Sequence, residues 1–600
     1  MRRRRPAGSW GIAVALAALI LLGGLAATQP LGSAGDRPAQ QPTASVFLPL
    51  ILRAPPHVAG MVVDVSGPVS GATVRIQATA NAVFSGAVGR FLLSNLEEGV
   101  PVTVSAWKDG YYCAKVEGVI PSAEGITLGL RAYQTNDNAG YEWLLPEGDS
   151  SCASCKPAVT QVWLENDAHS RSATNARFLT MYNGTDVYGH QSPPTQYVCR
   201  PDYGCVPLPP DPDEPYYGPG YKLDFPNLAG NCASCHVPGA AVDSPYGTDP
   251  NDAAGADAYG VHCDYCHKAA AVDLDPATGL PYPNRPGVLS TDIRRPFPDD
   301  PERYQLFYGS FDDDNVPAED TYLPLIAQSG WCAPCHYGLF WDVPIYNSYG
   351  EWLASPYSDP GYAGARTCQQ CHMPAPTLVD GQPLTNVAPG KGGVERDPMA
   401  IHAHTFPGAG SVELLQNSVS LTATLQQEPG EVAVTVSVSN DQTGHHVPTD
   451  SPLRELILLV QATDNLGQAM TQLSGPTVPD WAGTGDPADG YYAGLPGQGF
   501  AKILREMWTE VTPTGAYWNR TVLVSDNRLA ALQTDTSDYV FAAPPDAGGT
   551  VTVTLLYRRA HIQLMDWKSW DAPDIVMEQV TLPFAARAGR ISSSPEGTGQ

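Results

Sequence analysis

The chain has 600 residues and a formal net charge of −28, from 34 Lys and Arg against 62 Asp and Glu. A chain of this length exceeds a single hydrophobic core, so about three or four domains are expected. Because basic residues cluster only within the first five positions, the sequence excludes nucleic acid as a partner. The 58 Gly and 57 Pro predict many turns instead of long helices.

The N-terminal 34 residues have the pattern of a signal peptide. Arg2 to Arg5 form a positive segment, residues 11–25 are apolar and uncharged, and Ala27 and Ala34 are candidate cleavage positions. We therefore expect an exported protein, periplasmic or at the cell surface and extracellular. The alternative is an uncleaved anchor, and membrane association is expected only if this segment is retained.

Two segments precede the cysteine-rich region. Residues 35–56 contain Pro, Gln and Ser and are predicted to be a linker. In residues 57–133, phrases such as "GMVVDVSGPVSGATVRIQA" alternate apolar and polar residues between glycine turns, which predicts a β-sandwich. These phrases resemble the carboxypeptidase regulatory-like, transthyretin-type domain, a structural or adhesive module. Cys113 is expected to be a small buried hydrophobe within it.

Residues 145–410 hold twelve of the thirteen cysteines and show few periodic segments. Ordinary packing does not stabilise so irregular a region, so we predict a mostly irregular and α-helical domain whose interior is filled by something else. Residues 411–587 return to alternation, with Val432, Val434, Val436 and Val438 separated by polar or small residues. This predicts a C-terminal β-sandwich of immunoglobulin-like class, followed by a disordered tail at 588–600.

Five Cys-x-x-Cys pairs dominate the central region. They are Cys152/Cys155, Cys232/Cys235, Cys263/Cys266, Cys332/Cys335 and Cys368/Cys371, and the residues that follow them are Lys156, His236, His267, His336 and His372. Two thiols at this spacing can each form a thioether with one haem, and the next side chain then reaches the iron. The pattern predicts haem c, about five groups, four of them at the histidine-containing motifs. The alternatives are zinc ribbons, which need converging pairs, and disulfides, which do not need the histidine.

Other histidines are candidates for the opposite face of each iron. The candidate distal ligands are His169, His262, His404, His446 and His190. His402 is a weaker rival of His404, and His445 is adjacent to His446. For each of them the alternative is a surface or hydrogen-bonded histidine. His57 and His561 lie in predicted strand regions and are expected to be structural.

Three stretches resemble the bacterial superfamily of cytochrome c-554, cytochrome c nitrite reductase and hydroxylamine oxidoreductase. They begin "CASCKPAVTQVWLENDAHS", "GVHCDYCHKA" and "YGSFDDDNVPAED". The phrase "SNDQTGHHVPTD" also resembles a C-terminal β-domain of some of these cytochromes, which supports His446 as a ligand. Where relatives often have a histidine after the third phrase, this chain has Glu319 and Asp320, so one haem lacks its usual partner or borrows another.

The motif that ends in Lys156 has three interpretations. It resembles the active-site haem of cytochrome c nitrite reductase, in which lysine is the proximal ligand and substrate occupies the other face. It can instead be an electron-transfer haem capped by His169, or an orphan pair without haem. Arg171, Tyr182 and His190 are nearby in sequence, but no motif fixes them, so the catalytic residues are unknown.

Two further sequence features, a cysteine pair and an acidic segment, lead to predictions. Cys199 and Cys205 are not followed by histidine, and we predict a disulfide that closes a small loop. The phrase "FDDDN" at 311–315 is either a calcium ligand set or, as we favour, a solvated acidic loop.

The leading hypothesis is an electron-transfer protein with redox-protein donors or acceptors as partners. The second is a reductase of nitrite, hydroxylamine or a sulfur oxyanion at the Lys156 haem, with a small inorganic substrate. The third is a surface structural protein without haem.

Overall fold

The computed structural model of the protein describes residues 55–298, 305–313, 316, 319–543 and 548–586. The predicted signal peptide, most of the predicted linker and the predicted tail lie outside these residues. Among the described residues, no helix combines the length and the apolar composition needed to cross a membrane. The chain from Pro55 onward forms one compact unit, within which several separate sheets and short helices give a multidomain organisation.

The first part of this unit is built from two sheets. Its strands are β1 (Val58–Asp64), β2 (Gly67–Pro68), β3 (Thr73–Ile76), β4 (Ala82–Phe84), β5 (Arg90–Leu93), β6 (Val102–Trp107), β7 (Ala114–Val119) and β8 (Ala123–Gly129). In one sheet β1 pairs with β2 and β5 in antiparallel and with β8 in parallel, and the other has the order β4-β3-β6-β7. Alternate side chains such as Val74 and Ile76 face a shared core, as the period of two requires.

The central region consists of single helical turns and two-stranded hairpins. Its helices are α1 (Cys152–Cys155), α2 (Pro157–Asn166), α3 (Ala176–Asn183), α4 (Tyr221–Asp224), α5 (Ala233–His236), α6 (Pro238–Ala241), α7 (Cys263–Cys266), α8 (Ala333–His336), α9 (Ser348–Leu353) and α10 (Cys368–His372). Its strands are β9 (Tyr197–Arg200), β10 (Gly204–Pro207), β11 (Ala269–Val272), β12 (Thr291–Ile293), β13 (Phe307–Gly309), β14 (Asp320–Tyr322), β15 (Gly338–Phe340), β16 (Val343–Tyr346), β17 (Leu378–Val379) and β18 (Gln382–Pro383). Each Cys pair spans one helical turn, which brings residues three apart onto the same side.

The last part contains two larger sheets. Its elements are α11 (Val412–Gln416), β19 (Ser420–Glu428), β20 (Glu431–Ser439), β21 (Glu455–Asp464), β22 (Gln472–Ser474), β23 (Gly497–Glu506), β24 (Thr521–Asp526), β25 (Thr534–Ala542), β26 (Gly549–Arg558), α12 (Ile562–Lys568) and β27 (Ile575–Phe584). The sheets have the orders β19-β20-β25-β22 and β24-β23-β21-β26-β27. Val432, Val434, Val436 and Val438 are each at most 1% exposed, and they pack in the core shared with β21 and β26.

Ion pairs and hydrogen bonds join the sheets to the central region. On the N-terminal side Arg75 pairs with Asp312, and Asp313 accepts from the Ala78 N–H and from Arg396. The described part of the predicted acidic loop therefore binds basic side chains of this protein. On the C-terminal side Lys568 donates to three carbonyls, those of Thr180, Thr185 and Pro219.

Candidate metal centres

One large cavity occupies the middle of the central region. Its volume is about 2330 Å³, well above the range of about 300–1,000 Å³ typical of small-molecule pockets. All ten thiols of the five Cys-x-x-Cys pairs line it, and so do the residues that follow them: Lys156, His236, His267, His336 and His372. The motif residues therefore surround one shared space, next to a small apolar cluster that includes Val237, Tyr265 and Ile293.

Thiols of different motifs approach each other in this cavity. Hydrogen-bond contacts join three pairs, which are Cys152 with Cys263, Cys235 with Cys335, and Cys332 with Cys368. None of the ten motif thiols forms a disulfide, whereas Cys199 and Cys205 are bonded to each other across the β9–β10 hairpin. Within the described part of the chain, no group of three or more His, Cys, Asp or Glu has a geometry that could hold a metal ion by itself.

Three proximal histidines face a second imidazole across a gap. The ring centres of His336 and His169 are 6.3 Å apart, those of His267 and His404 are 6.4 Å apart, and those of His372 and His445 are 6.3 Å apart. Two nitrogens each about 2 Å from a shared metal, with ring centres about 1.1 Å behind them, give a centre-to-centre distance of about 6.2 Å. The three pairs therefore have the separation of axial ligands on opposite sides of one metal.

Hydrogen bonds fix the orientation of four of these six rings, and a fifth, His169, lies next to a carboxylate. The Nδ1 atoms of His267, His372 and His445 lie 2.6, 2.7 and 2.9 Å from the carbonyl oxygens of Tyr308, Pro407 and His446. The Nδ1 atoms of His336 and His169 lie 3.1 and 3.0 Å from carboxylate oxygens of Asp450 and Asp167. A neutral ring whose Nδ1 donates to such an acceptor leaves Nε2 available to a metal.

The electrostatics of the proximal rings fall into two classes. Burial lowers the pKa of His236 to about 4, of His267 to about 3 and of His372 to about 4, so these rings are neutral, as metal ligands must be. Burial alone would also lower the pKa of His336. The hydrogen bond and charge of Asp450 outweigh that effect and raise the pKa to about 9.

His236 and Lys156 have different surroundings. The ring of Phe178 stacks on His236 with a centre distance of 3.7 Å and planes 1° from parallel, and no second imidazole of the described residues stands opposite His236 at the separation of the three pairs. The Lys156 Nζ lies 4.0 Å from Asp320 and 5.9 Å from the centre of the Phe307 ring, with one third of the side chain exposed. An iron held by His236 therefore has no imidazole partner at that separation among these residues.

The remaining candidates do not pair with a motif histidine at that separation among the described residues. The His262 Nδ1 accepts from the Tyr265 N–H and its Nε2 lies 3.3 Å from Asp257, so both ring nitrogens have partners. His446 lines the cavity, with its Nδ1 3.6 Å from Glu351. His190 has a side chain 58% exposed, bonds Asp186 and lies outside the cavity lining, as does His402. All five distal assignments stay predictions, but the geometry favours His445 over His446.

The side chains considered for catalysis are held by main-chain carbonyls. Arg171 donates to Leu164 and Glu165, and the Tyr182 hydroxyl donates to Ala229. Both line the cavity, whereas His190 does not. No catalytic assignment follows from this arrangement.

Sequence reasoning missed the carboxylates that hold two of the rings. Asp167 is two residues before His169, and Asp450 is in the same "GHHVPTD" phrase as His445. The phrase thus supplies one imidazole to the His372 pair and one carboxylate to His336. A search for acidic residues next to each candidate histidine would have found Asp167, but the contact of Asp450 with His336 requires the tertiary fold.

Comparisons with known proteins give little further information. No family model matches the chain, and no curated protein matches it. Among solved structures, the chain is similar to a penta-heme cytochrome c552 from Thermochromatium tepidum, with 20% identity over 74% of this chain and 100% of that chain and a TM-score of 0.48. A type II cohesin–X-dockerin complex from Acetivibrio cellulolyticus is similar over 13% of this chain, at 19% identity and a TM-score of 0.12. Neither likeness carries an argument below.

Proposed function

We propose that the protein is an exported multihaem c-type cytochrome that transfers electrons through about five covalently bound haems. The observation that carries the proposal is the shared cavity, in which all ten motif thiols and three imidazole pairs with metal-bridging separation meet. Haem c, when bound, supplies one-electron redox chemistry. The residues present fit this group in number, in chemistry and in the spacing of the paired rings.

The residues have distinct roles in this proposal. Each Cys pair would hold one haem by two thioethers, and Lys156, His236, His267, His336 and His372 would be the proximal ligands. His404, His169 and His445 would be the distal ligands opposite His267, His336 and His372. The Nδ1 acceptors keep each ring in the tautomer that presents Nε2.

The contacts between motifs define a route for electrons. Cys152 contacts Cys263, Cys335 contacts Cys235, and Cys332 contacts Cys368. The five attachment sites therefore fall into two sets of adjoining motifs, and both sets line the same cavity.

The flanking domains and the export segment are part of the proposal. The sheets at 58–129 would be a carboxypeptidase regulatory-like domain and those at 420–584 an immunoglobulin-like domain, which together enclose the haem region. The N-terminal segment would direct the protein out of the cytoplasm. With a net charge of −28, the protein would select redox partners that carry positive surface charge.

A reductase at the Lys156 haem is the second candidate function. It is favoured by the position of Lys156, which follows a Cys pair, lines the cavity and has one third of its side chain exposed, so nitrite, hydroxylamine or a sulfur oxyanion would have access to an iron held there. Spectroscopy of the oxidised protein separates the two candidates. A high-spin signal that shifts on adding nitrite or hydroxylamine, with turnover by a reduced dye, supports the reductase.

The electron-transfer proposal is tested by reductive titration of protein made in a host with c-type cytochrome maturation. Reversible reduction with several overlapping one-electron transitions and the α band of low-spin haem c is the expected result. A protein without covalent haem in the pyridine haemochrome assay would instead support a structural surface protein.

A further inference from the structure

We propose that Asp167 and Asp450 give the haem held by Cys332 and Cys335 the lowest reduction potential of the three haems with paired histidines. The inference rests on the proposed function, because it concerns one of the proposed haems. Both residues act as positioning residues, since they would touch the axial imidazoles and not the haem itself.

The two carboxylates lie next to opposite members of one imidazole pair: Asp450 forms a hydrogen bond with the His336 ring, whereas Asp167 accepts from the His169 backbone N–H and lies beside its ring. The Asp450 Oδ2 lies 3.1 Å from the His336 Nδ1, and its Oδ1 accepts from the Ser348 N–H at 3.3 Å. The Asp167 Oδ1 lies 3.0 Å from the His169 Nδ1 and 2.9 Å from the His169 backbone nitrogen. The His336 and His169 rings are themselves the pair at 6.3 Å, so an anionic acceptor would stand behind each axial ligand of this iron.

Because the carboxylates of Asp167 and Asp450 are buried, water screens their charges only weakly. The side chain of Asp167 is fully buried, and its Oδ2 has no hydrogen-bond partner among the described residues. The side chain of Asp450 is 19% exposed, and the cations Arg454 and Lys502 also interact with it. A charge in such surroundings acts over several ångströms with little screening by water.

The other two pairs have neutral hydrogen-bond acceptors, while the charges of Asp167 and Asp450 reach His404 and His372 only from a distance. His267 faces the carbonyl of Tyr308, and His372 and His445 face the carbonyls of Pro407 and His446. A carbonyl is a neutral acceptor, whereas a carboxylate polarises the imidazole more strongly and makes it a better electron donor to the metal. A more basic ligand and a nearby negative charge both stabilise Fe(III) relative to Fe(II), which lowers the reduction potential.

The Cys332/Cys335 motif adjoins other motifs, so a lower reduction potential of its haem would affect how electrons are distributed among the haems. Cys332 contacts Cys368 and Cys335 contacts Cys235, so two other motifs adjoin it. A low-potential haem at this junction would be the least reduced of the paired haems at equilibrium. Electrons would cross it between the other centres without accumulating on it.

The experiment compares Asp450→Asn, Asp167→Asn and the control Asp273→Asn in the holoprotein. Asparagine keeps an acceptor oxygen and removes the charge, and it tolerates the left-handed backbone of Asp450, whose φ is 60°. Asp273 is a half-exposed partner of Arg285, so its change alters the net charge to the same extent. The readout is a redox titration followed by electron paramagnetic resonance, with haem content measured for every variant.

The expected result is that the lowest of the potentials of the three paired haems shifts upward in both Asp450→Asn and Asp167→Asn, while it is unchanged in Asp273→Asn. Variants with full haem content whose potentials match those of Asp273→Asn would overturn the inference. If Asp450→Asn fails to incorporate haem, Asp167→Asn still decides the question. A wild-type protein without covalent haem would overturn the proposed function instead, so the two failures are distinguishable.

Discussion

The imidazole rings of His372 and His445 stand 6.3 Å apart with planes 16° from parallel. His445 lies between β20 and β21 of the C-terminal sheets, 73 positions after His372. The carbonyl of Pro407 accepts from the His372 Nδ1, and the carbonyl of His446 accepts from the His445 Nδ1, so both Nε2 atoms are available. The C-terminal sheets thus contribute directly to the cavity that the cysteine motifs line.

This relationship predicts different effects for two adjacent histidines. In His445→Ala, one haem loses its distal ligand, so one low-spin signal is replaced by a high-spin signal, and added imidazole restores it. His446→Ala is the matched control and retains all low-spin signals, because His446 faces Glu351. Electron paramagnetic resonance checks both variants, and loss of the low-spin signal in His446→Ala alone would reverse the assignment.

The angles between paired rings predict two classes of low-spin spectrum. The planes are 16° apart for His372 and His445 and 31° apart for His267 and His404, but 90° apart for His169 and His336. Near-parallel imidazoles split the iron d orbitals and give rhombic signals, whereas perpendicular imidazoles leave them nearly degenerate and give a large maximal g value. We expect two rhombic signals and one signal of the second class. Three rhombic signals would contradict the perpendicular pair.

Glu351 is predicted to stabilise the contact between the central region and the C-terminal sheets. Its carboxylate accepts from Arg528 at 2.8 Å and from Thr449 at 2.5 Å, and both Glu351 and Arg528 are nearly fully buried. Without Glu351, Arg528 keeps Asp526 as its carboxylate partner but loses one buried charge-assisted hydrogen bond, as does Thr449, so Glu351→Ala should lower the free energy of unfolding by about 2 kcal/mol. Chemical unfolding followed by circular dichroism measures the change.

The control for Glu351 is the exposed pair of Arg285 and Asp273, whose side chains are about half exposed. Asp273→Asn should change the free energy of unfolding by about 0.5 kcal/mol or less, as is usual for surface ion pairs. Equal losses in the two variants would mean that Glu351 has no special role in this contact.

Glu506 is predicted to make stability depend on pH. Burial, aided by the charge of Asp224, raises its pKa to about 7. Between its unfolded pKa of about 4.3 and this folded value, the native state holds a proton that the unfolded state has lost, so stability falls as pH rises through this window. Glu506→Gln removes the effect, so the variant should gain up to about 3 kcal/mol over the wild type between about pH 5 and pH 8.

The measurement for Glu506 is the difference in unfolding midpoint between variant and wild type at several pH values. Because the difference is taken at each pH, the titration of other groups cancels. A difference that stays constant across this pH range would show that the Glu506 carboxyl titrates normally.

Most of the predictions that could be made from the sequence came from local residue patterns, such as strand alternation and cysteine spacing. The alternation from Val432 to Val438 falls on β20, where all four valines are buried, and the spacing of each Cys pair corresponds to one helical turn. The multidomain organisation, with sheets on both sides of an irregular centre, follows from the same patterns. The exact domain boundaries stay predictions, because the chain from Pro55 onward forms one compact unit.

Long-range pairing could not be predicted from these patterns. His445 and His446 are adjacent, and only the placement of β20 and β21 decides which of them faces His372. His262 precedes Cys263 in sequence, but it caps α7 and bonds Asp257 in the fold. A distal ligand is defined by the tertiary structure, whereas a proximal ligand is fixed by its covalent neighbours in the motif.

The mass of the intact purified protein, made in a host with c-type cytochrome maturation, tests the central claim most directly. The account predicts that the mass exceeds that of the mature polypeptide by five haem groups, with the peptide that contains Cys152, Cys155 and Lys156 among those modified. A polypeptide mass without any haem addition would contradict the account.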